Sequence, residues 1–159
     1  SSESSWRWET LSVQGQPVAR HEAGLVSLNG KIYLLGGRRI NPTSIFDIET
    51  KTWVDKSPDA YRIASLPTCC TQQQDIHCWR LDGRWPNEEP VDKVIIYDPI
   101  EDSYEYSHAI PTHRLRGGAG TVSYNGKIYI VGGITKGHME GYVAWVDEYD
   151  PTYRPTCKF

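Results

Sequence analysis

The chain has 159 residues, which is enough for one domain with a sizeable hydrophobic core. Hydrophobic residues make up 38% and charged residues 23%, a balance that excludes general disorder. No apolar run approaches the roughly 18 residues of a membrane span, and a formal charge of −3 gives no electrostatic case for nucleic acid, so we expect neither partner. Six Trp and ten Tyr, with 14 Gly and 10 Pro, favour short strands and tight turns over helices.

An internal repeat organises nearly the whole chain. Residues 20–37 read RHEAGLVSLNGKIYLLGG and residues 116–133 read RGGAGTVSYNGKIYIVGG, and the two stretches lie 96 positions apart. An aromatic residue followed by aspartate recurs at intervals of 51 and 52 positions, in Phe46-Asp47, Tyr97-Asp98 and Tyr149-Asp150. The repeating unit is therefore about 50 residues long, and the two matching stretches are two units apart.

Each unit predicts four antiparallel strands. Residues 25–35 hold two runs of β-formers around Asn29-Gly30, which is the strongest two-residue hairpin signal because both positions need a positive φ. Residues 121–131 repeat this hairpin. A third strand precedes each Asp turn, and the fourth strand carries a late aromatic residue, Trp53 or Tyr104.

Two near-identical GKIY-[LI]-[LV]-GG hairpins, three Asp turns and the late aromatic residues resemble the kelch repeat. The resemblance spans roughly residues 6–152 and implies an all-β, kelch-type β-propeller in which each unit is one blade. We expect residues 1–159 to be a single kelch-repeat region, a partial propeller with three blades of four antiparallel strands at about 6–53, 54–104 and 105–152.

The second unit departs from the pattern at residues 64–82. Its hairpin is expected near residues 65–81, but this stretch lacks the Asn-Gly pair, an apolar strand and the double glycine, although the pattern resumes in register at Tyr97. If the reading frame is shifted by one nucleotide from the Ala64 codon onward, the codons that encode this stretch can also encode the string HHFQPVVHNNKIYIVGA. This string has the pattern of the missing hairpin. We therefore interpret residues 64–82 as an aberrant segment translated out of frame, a hypothesis that the nucleotide sequence tests.

Three units and a short tail are fewer than the 4–8 blades of a typical propeller. We therefore expect an incomplete propeller or a fragment of a longer one. Each blade normally buries apolar side chains against its neighbours, so a three-blade arc leaves two open sheet faces. These faces predict self-association of the isolated chain.

Residues that recur in every unit are expected to be scaffold, and residues that break the repeat in loops are the candidates for binding. The carboxylates of the Asp turns are interpreted as turn caps rather than catalytic acids. The loops after the second strands share one face of a propeller and carry four ligand-binding candidates: Arg38, Arg39, Trp85 and His138. Arginine offers paired donors for carboxylate or phosphate, and tryptophan offers a stacking face. Arg114, within a basic run, is a fifth candidate.

The main prediction for function is a non-catalytic binding module that presents propeller loops to a protein or glycan partner without a cofactor, because no catalytic motif is present. The resemblance leaves one alternative, a fragment of a carbohydrate-active kelch-like enzyme, either galactose-oxidase-like or a sugar isomerase. The four cysteines lie in the aberrant segment or the tail without metal-ligand spacing, so we expect no metal site. The ligand and the compartment stay open.

Overall fold

A computed structural model describes residues 6–38, 42–58, 68–70, 75–79, 81–82, 87–137 and 140–153. In this part of the chain the structure is all-β, with one short 3₁₀ turn over Thr112–Arg114. Its strands are β1 (Ala23–Leu28), β2 (Lys31–Gly36), β3 (Pro42–Asp47), β4 (Thr52–Pro58), β5 (Thr68–Cys70), β6 (Ile76–Cys78), β7 (Leu81–Asp82), β8 (Glu89–Pro90), β9 (Lys93–Asp98), β10 (Ser103–Ala109), β11 (Gly120–Tyr124), β12 (Lys127–Val131), β13 (Ile134–Lys136), β14 (Glu140–Tyr142) and β15 (Val146–Tyr149). Among the described residues no helix has the length and apolar character needed to span a membrane.

The strands form three successive antiparallel sheets, which confirms the prediction of an all-β, partial propeller. Blade 1 has the strand order β1-β2-β3-β4, and blade 2 has the order β10-β9-β6-β5. Blade 3 contains β11-β12-β15, so its sheet has three strands within the described residues rather than the predicted four. The outer strands of blades 1 and 2 run to Pro58 and Ala109, beyond the expected blade ends at 53 and 104.

The aberrant segment supplies the two inner strands of blade 2. Within residues 64–82, strands β5 and β6 pair antiparallel, and β6 pairs with β9 so that Ile76 lies opposite Tyr97. The expectation that this segment lacks an apolar strand is therefore wrong at residues 76–78, where Ile76 and Cys78 are fully buried. A three-residue strand is enough here because the neighbouring strand β9 provides four consecutive buried positions.

The turns follow the sequence signals residue by residue. Asn29 and Asn125 adopt φ values of 49° and 50°, as the two-residue hairpin requires. Each Asp carboxylate accepts backbone N–H groups of its own turn, for example Asp98 from the amides of Ile100 and Glu101 at 2.7 and 3.0 Å. These carboxylates therefore cap turns, and hydrogen bonds from Thr50 hold the pKa of Asp47 below its ordinary value.

Two hydrophobic cores join the three blades. In each blade successive side chains of a strand point to opposite faces, so one face meets the preceding blade and the other meets the following blade. The core between blades 1 and 2 contains Tyr33, Leu35, Ile45, Ile76, Cys78, Ile95 and Tyr97. The core between blades 2 and 3 contains Trp79, Val94, Ala119, Ile128 and Ile130. Both cores combine strands of two blades, which is the burial of apolar side chains between neighbouring blades that a propeller requires.

The segment before β1 lies along the outer edge of blade 1. Gln14 forms a parallel bridge with Thr52, in which the Trp53 amide donates to the Gln14 carbonyl at 2.9 Å. Trp8 precedes Arg20 by the same interval as Tyr104 precedes Arg116, yet Trp8 lies outside any strand and is 97% exposed. The aromatic spacing therefore continues beyond the residues that form the sheets.

Candidate functional site

The two ends of the sheets differ in construction. One end, here called the turn end, consists of the Asn-Gly and Asp turns. The other, the loop end, carries the connections between blades and the loops after each second strand. In blades 2 and 3 those loops contain short hairpins of their own, β7–β8 and β13–β14, and strands β8 and β13 lie in contact. The loop end therefore brings residues of different blades together, and of the predicted binding residues that the structure describes it carries Arg38 and Arg114.

Arg38 follows β2 and bridges blades 1 and 2 at the loop end. Its Nε donates to Glu22 Oε2 at 2.9 Å, and its Nη2 lies 3.3 Å from Oε1 of Glu88, a carboxylate that is almost fully buried. The hydrogen bond that Arg38 donates to Glu22 contributes most to the raised pKa of the Arg38 side chain. In the described structure, the carboxylates that Arg38 binds are therefore those of Glu22 and Glu88 in its own chain.

Arg114 lies in the connection between blades 2 and 3 and is held by Asp147. Its Nε and Nη2 donate to Asp147 Oδ1 at 2.9 and 2.7 Å, and its guanidinium lies 4.4 Å from the centre of the Trp145 ring. Burial alone would raise the pKa of the Asp147 carboxyl, but hydrogen bonds from Arg114 and Arg116 hold it below its ordinary value. This cluster fixes the connection between the blades to the beginning of strand β15.

Arg116 is the buried anchor of the loop end. Its Nε donates to the Gly132 carbonyl at 2.7 Å, its Nη2 donates to the Ile130 carbonyl at 3.0 Å, and its Nη1 lies 2.6 Å from Asp147 Oδ2. A Cβ added at Gly133 would lie 2.8 Å from the Gly117 carbonyl oxygen, and Gly132 has a φ of 71°, so each position of the double glycine has its own reason. Arg116 therefore acts as scaffold, as its recurrence in the repeat predicts.

A loop-end cleft of about 380 Å³ opens between blades 2 and 3. Its walls come from strand β8, the connection between the blades, strand β13 and the residue before β15. The lining residues are Glu89, Pro90, Thr112, His113, Leu115, Thr135, Lys136 and Trp145. The cleft combines one carboxylate, one ammonium, one imidazole, two hydroxyls and an indole, a set that suits a polypeptide segment with polar and apolar side chains.

A second, smaller cavity of about 140 Å³, here called the interblade cavity, lies between the sheets of blades 2 and 3. Trp79, Val94, Ile110 and Ile130 form its apolar walls, and Arg114 borders it. Further lining is provided by His108, Ala109, Pro111, Arg116, Asp147, Glu148 and Tyr149.

Beside this cavity lies an aromatic cluster of two imidazoles and one phenol. His77 is 1% exposed, and neither ring nitrogen has a hydrogen-bond partner within the described residues. Its ring meets Tyr149 edge-on at 5.7 Å, and the Tyr149 hydroxyl lies 3.0 Å from His108 Nδ1. Burial, with a smaller effect from His108, lowers the pKa of His77 to about 4.

The remaining binding candidates, Arg39, Trp85 and His138, lie outside the described residues, so their roles stay predictions. The sequence analysis did not select Trp145, Lys136 or Glu89, although Trp145 closely follows residues 135–142, the longest of the loops that break the repeat. It also passed over His77, whose signal is that it occupies the repeat position of Tyr33 and Tyr129. Within the described part of the chain, no three His, Cys, Asp or Glu side chains are grouped to hold a metal ion.

The fold and its loop end define a class of protein, a repeat protein built from propeller blades. Residues 115–152 match the family model for the Kelch motif. The chain is 32% identical over 124 residues to a putative F-box/kelch-repeat protein of Arabidopsis thaliana, in an alignment that covers 72% of this chain and 35% of that protein. A second such protein of the same plant is 26% identical over 103 residues, which cover 61% of this chain and 22% of the relative.

The chain is therefore a kelch-repeat protein, as the sequence predicted. It spans about a third of the length of the first of these relatives and about a fifth of the second.

Proposed function

We propose that this chain is a protein-binding module and that the loop-end cleft is its contact surface. The cleft supports the proposal because its lining residues come from two blades and the connection between them, so it exists only when the blades are stacked. Similarity to kelch-repeat proteins supports protein binding as the type of function, because kelch repeats are generally protein-interaction modules. Both relatives are named F-box/kelch-repeat proteins. No reacting group is needed for this function.

The rigidity of the cleft walls supports binding through a preformed surface. Gly117 and Ile134 exchange two backbone hydrogen bonds of 2.9 Å, which tie the connection between blades to the β13–β14 hairpin. Leu81 packs where a Cβ on Gly117 would otherwise lie, so blade 2 closes against the same connection. A preformed surface binds with a smaller ordering cost than a mobile one.

A protein partner fits the cleft better than a glycan does. Glycan recognition commonly uses an accessible aromatic face, and the described part of the cleft contains one indole, Trp145. The Arg114 guanidinium already stacks on this ring at 4.4 Å. Glu89 and Lys136 are exposed, and Lys136 Nζ lies 3.6 Å from Glu140 Oε2. Because this ion pair is exposed to solvent, both side chains can still pair with charged side chains of a partner.

The test is selection of binding peptides from a random displayed library, followed by charge reversal at both ends of the sheets. Glu89→Lys and Lys136→Glu change the cleft, while Glu101→Lys and Lys51→Glu make the same changes at the turn end. We expect the selected peptides to lose at least about tenfold in affinity with the cleft variants, because charge pairs across an interface are reversed.

The turn-end variants are the matched controls and are expected to bind the peptides unchanged. Peptides that are insensitive to both cleft variants would contradict the proposal. An array of immobilised glycans, probed with the same four variants, tests the other partner class. Glycan binding that depends on Glu89 or Lys136 would indicate that the partner is a glycan and not a protein.

A second proposal concerns the chain's own copies. We propose that the outer faces of blades 1 and 3 allow self-association, because apolar side chains lie uncovered there. Leu25 is 61% exposed on blade 1, and Val122 and Val146 are 58% and 64% exposed on blade 3. Sedimentation of the chain and of the double variant Val122→Thr/Val146→Thr tests this. An unchanged, concentration-independent monomer in both would contradict it.

A further inference from the structure

We propose that the interblade cavity binds a small organic monocarboxylate whose apolar body is about the size of one aromatic ring. The inference goes beyond the proposed protein binding and does not depend on it, because the cavity lies between the sheets rather than in the loop-end cleft. Its walls and its polar end have different chemistry, and each determines one part of the ligand.

The apolar walls determine the size of the ligand's body. Trp79, Val94, Ile110 and Ile130 surround a volume of about 140 Å³. An apolar cavity of about 150 Å³ is large enough to hold a benzene molecule. A planar ring would lie against the faces of side chains that are themselves buried in the core between blades 2 and 3. Filling this space would restore dispersion contacts that the cavity lining lacks.

The charges at the polar end determine the acidic group. Two guanidinium groups, those of Arg114 and Arg116, share the single carboxylate of Asp147, which leaves one positive charge in excess. The bonds from Arg114 to Asp147 use its Nε and Nη2, so we assign its Nη1 to the ligand carboxylate. A charge-assisted hydrogen bond at a partly buried site is stronger than one in water.

The other polar groups of the lining do not offset this excess. Glu148 lies at the exposed mouth and forms an ion pair with Lys127. His108 and Tyr149 hydrogen-bond to each other. The cavity therefore favours an anion over a cation of the same shape, and it favours one carboxylate over two because a second would meet Asp147 or Glu148.

The mouth of the cavity lies beside exposed residues, so a ligand can enter without separating the blades. Ala109, Pro111 and Glu148 line the cavity and are exposed to solvent. They belong to the end of β10, the following connection and β15. Entry along this side places the ring deep between the sheets and the acid near Arg114.

The experiment uses the full chain and three probes of nearly equal shape: benzoate, benzyl alcohol and benzylamine. Binding is followed by the shift of the thermal unfolding midpoint and by the fluorescence of the protein's tryptophans. We expect benzoate to raise the midpoint in a saturable manner, benzyl alcohol to raise it less, and benzylamine to leave it unchanged, because a ligand that binds the native state stabilises it.

Two variants locate the site. Arg114→Gln removes the proposed acid contact, and we expect it to weaken benzoate binding by about tenfold or more. Ile110→Trp fills the cavity while leaving both arginines, so it tests the site even where the first variant weakens folding. Arg38→Gln removes a comparable loop-end arginine and is expected to bind benzoate unchanged.

Three results would overturn the proposal. The first is a benzoate titration without any change of midpoint or fluorescence. The second is an equal response to benzylamine, which would show that charge plays no part. The third is benzoate binding that survives in the Ile110→Trp variant, which would place the ligand elsewhere.

Discussion

The two blade interfaces use the same strand positions but are packed differently. Between blades 1 and 2, Tyr33 faces Tyr97 with ring centres 6.4 Å apart, inside a core that includes the fully buried Leu35 and Ile95. Between blades 2 and 3, the equivalent pair is His77 and Tyr149, and a cavity of about 140 Å³ lies beside it. One substituted position in a repeat therefore leaves a buried imidazole without a hydrogen-bond partner among the described residues at one interface.

The difference originates in the aberrant segment. His77 and Trp79 both belong to residues 64–82, and both point from blade 2 toward blade 3. Ile76 and Cys78, on the opposite face of the same short strand, are fully buried in the core toward blade 1. We propose that this segment is translated in a shifted reading frame. Its nucleotide sequence tests the proposal, and codons that do not permit the missing hairpin in the other frame would contradict it.

The largest effect is expected at the arginine beside the second interface. Arg116→Ala leaves Asp147 with fewer partners and the carbonyls of Gly132 and Ile130 without their donor, so it should lower the free energy of unfolding by about 3–5 kcal/mol. Arg20→Ala is the matched control, because Arg20 binds Pro42 and other carbonyls of blade 1 but is only partly buried. We expect its loss to be about half as large in urea denaturation; equal losses would contradict this ranking.

Truncation of one apolar side chain in each core compares their packing directly. Leu35→Ala, in the core between blades 1 and 2, should cost about 3–4 kcal/mol, because Leu35 is fully buried and the removed atoms leave a new cavity. Ile130→Ala, beside the existing cavity, should cost about 2 kcal/mol, because Ile130 already lacks some neighbours. Urea midpoints measure both, and a larger loss for Ile130 would show that the second core is the better packed of the two.

Acid should weaken the second interface through His77. The lowered pKa of about 4 means that the unfolded chain binds a proton at this residue before the native state does. Its contribution to stability is therefore complete above the unfolded pKa of about 6.5 and is lost as pH falls toward 4, by on the order of 3 kcal/mol. His77→Phe should remove this part of the pH dependence, which urea denaturation at pH 7 and pH 4.5 measures.

A histidine outside the interface provides the control for this measurement. His113→Asn changes an exposed imidazole of the loop end and is the matched control for His77→Phe. If His77→Phe and the unchanged chain lost the same stability between the two pH values, the buried imidazole would not be the source of the acid sensitivity.

The smallest effects are expected from the hydroxyls that cross each interface. The Tyr104 hydroxyl bonds to that of the fully buried Thr43, so Tyr104→Phe should cost about 1–2 kcal/mol. The Tyr149 hydroxyl bonds to His108 and Ser107, which are only half-buried and can turn to water, so Tyr149→Phe should cost less than about 1 kcal/mol. Denaturation midpoints decide which of the two variants loses more stability. A larger loss for Tyr149→Phe would show that the second interface is less accessible to water than the first.

The repeat alone predicted most of the fold. Asn29-Gly30 requires a positive φ at both positions, and the Asp98 carboxylate lies next to the amides that it caps, so these local signals depend on neighbours a few residues away. The site was predicted less well. Arg38 and Arg114 both lie at the loop end, but the sequence did not predict their partners Glu88 and Asp147, which come from distant parts of the chain.

The sequence by itself determined the length of the repeating unit, the hairpins and turns, and the family, because each depends on spacing along the chain. Only the tertiary structure decided which side chains meet across blades: the inner strands built from an irregular segment, the buried imidazole of His77, and the two cavities between blades 2 and 3. The physical reason is that packing between sheets depends on which face each residue of a strand presents, and a shift of one residue in register exchanges the two faces.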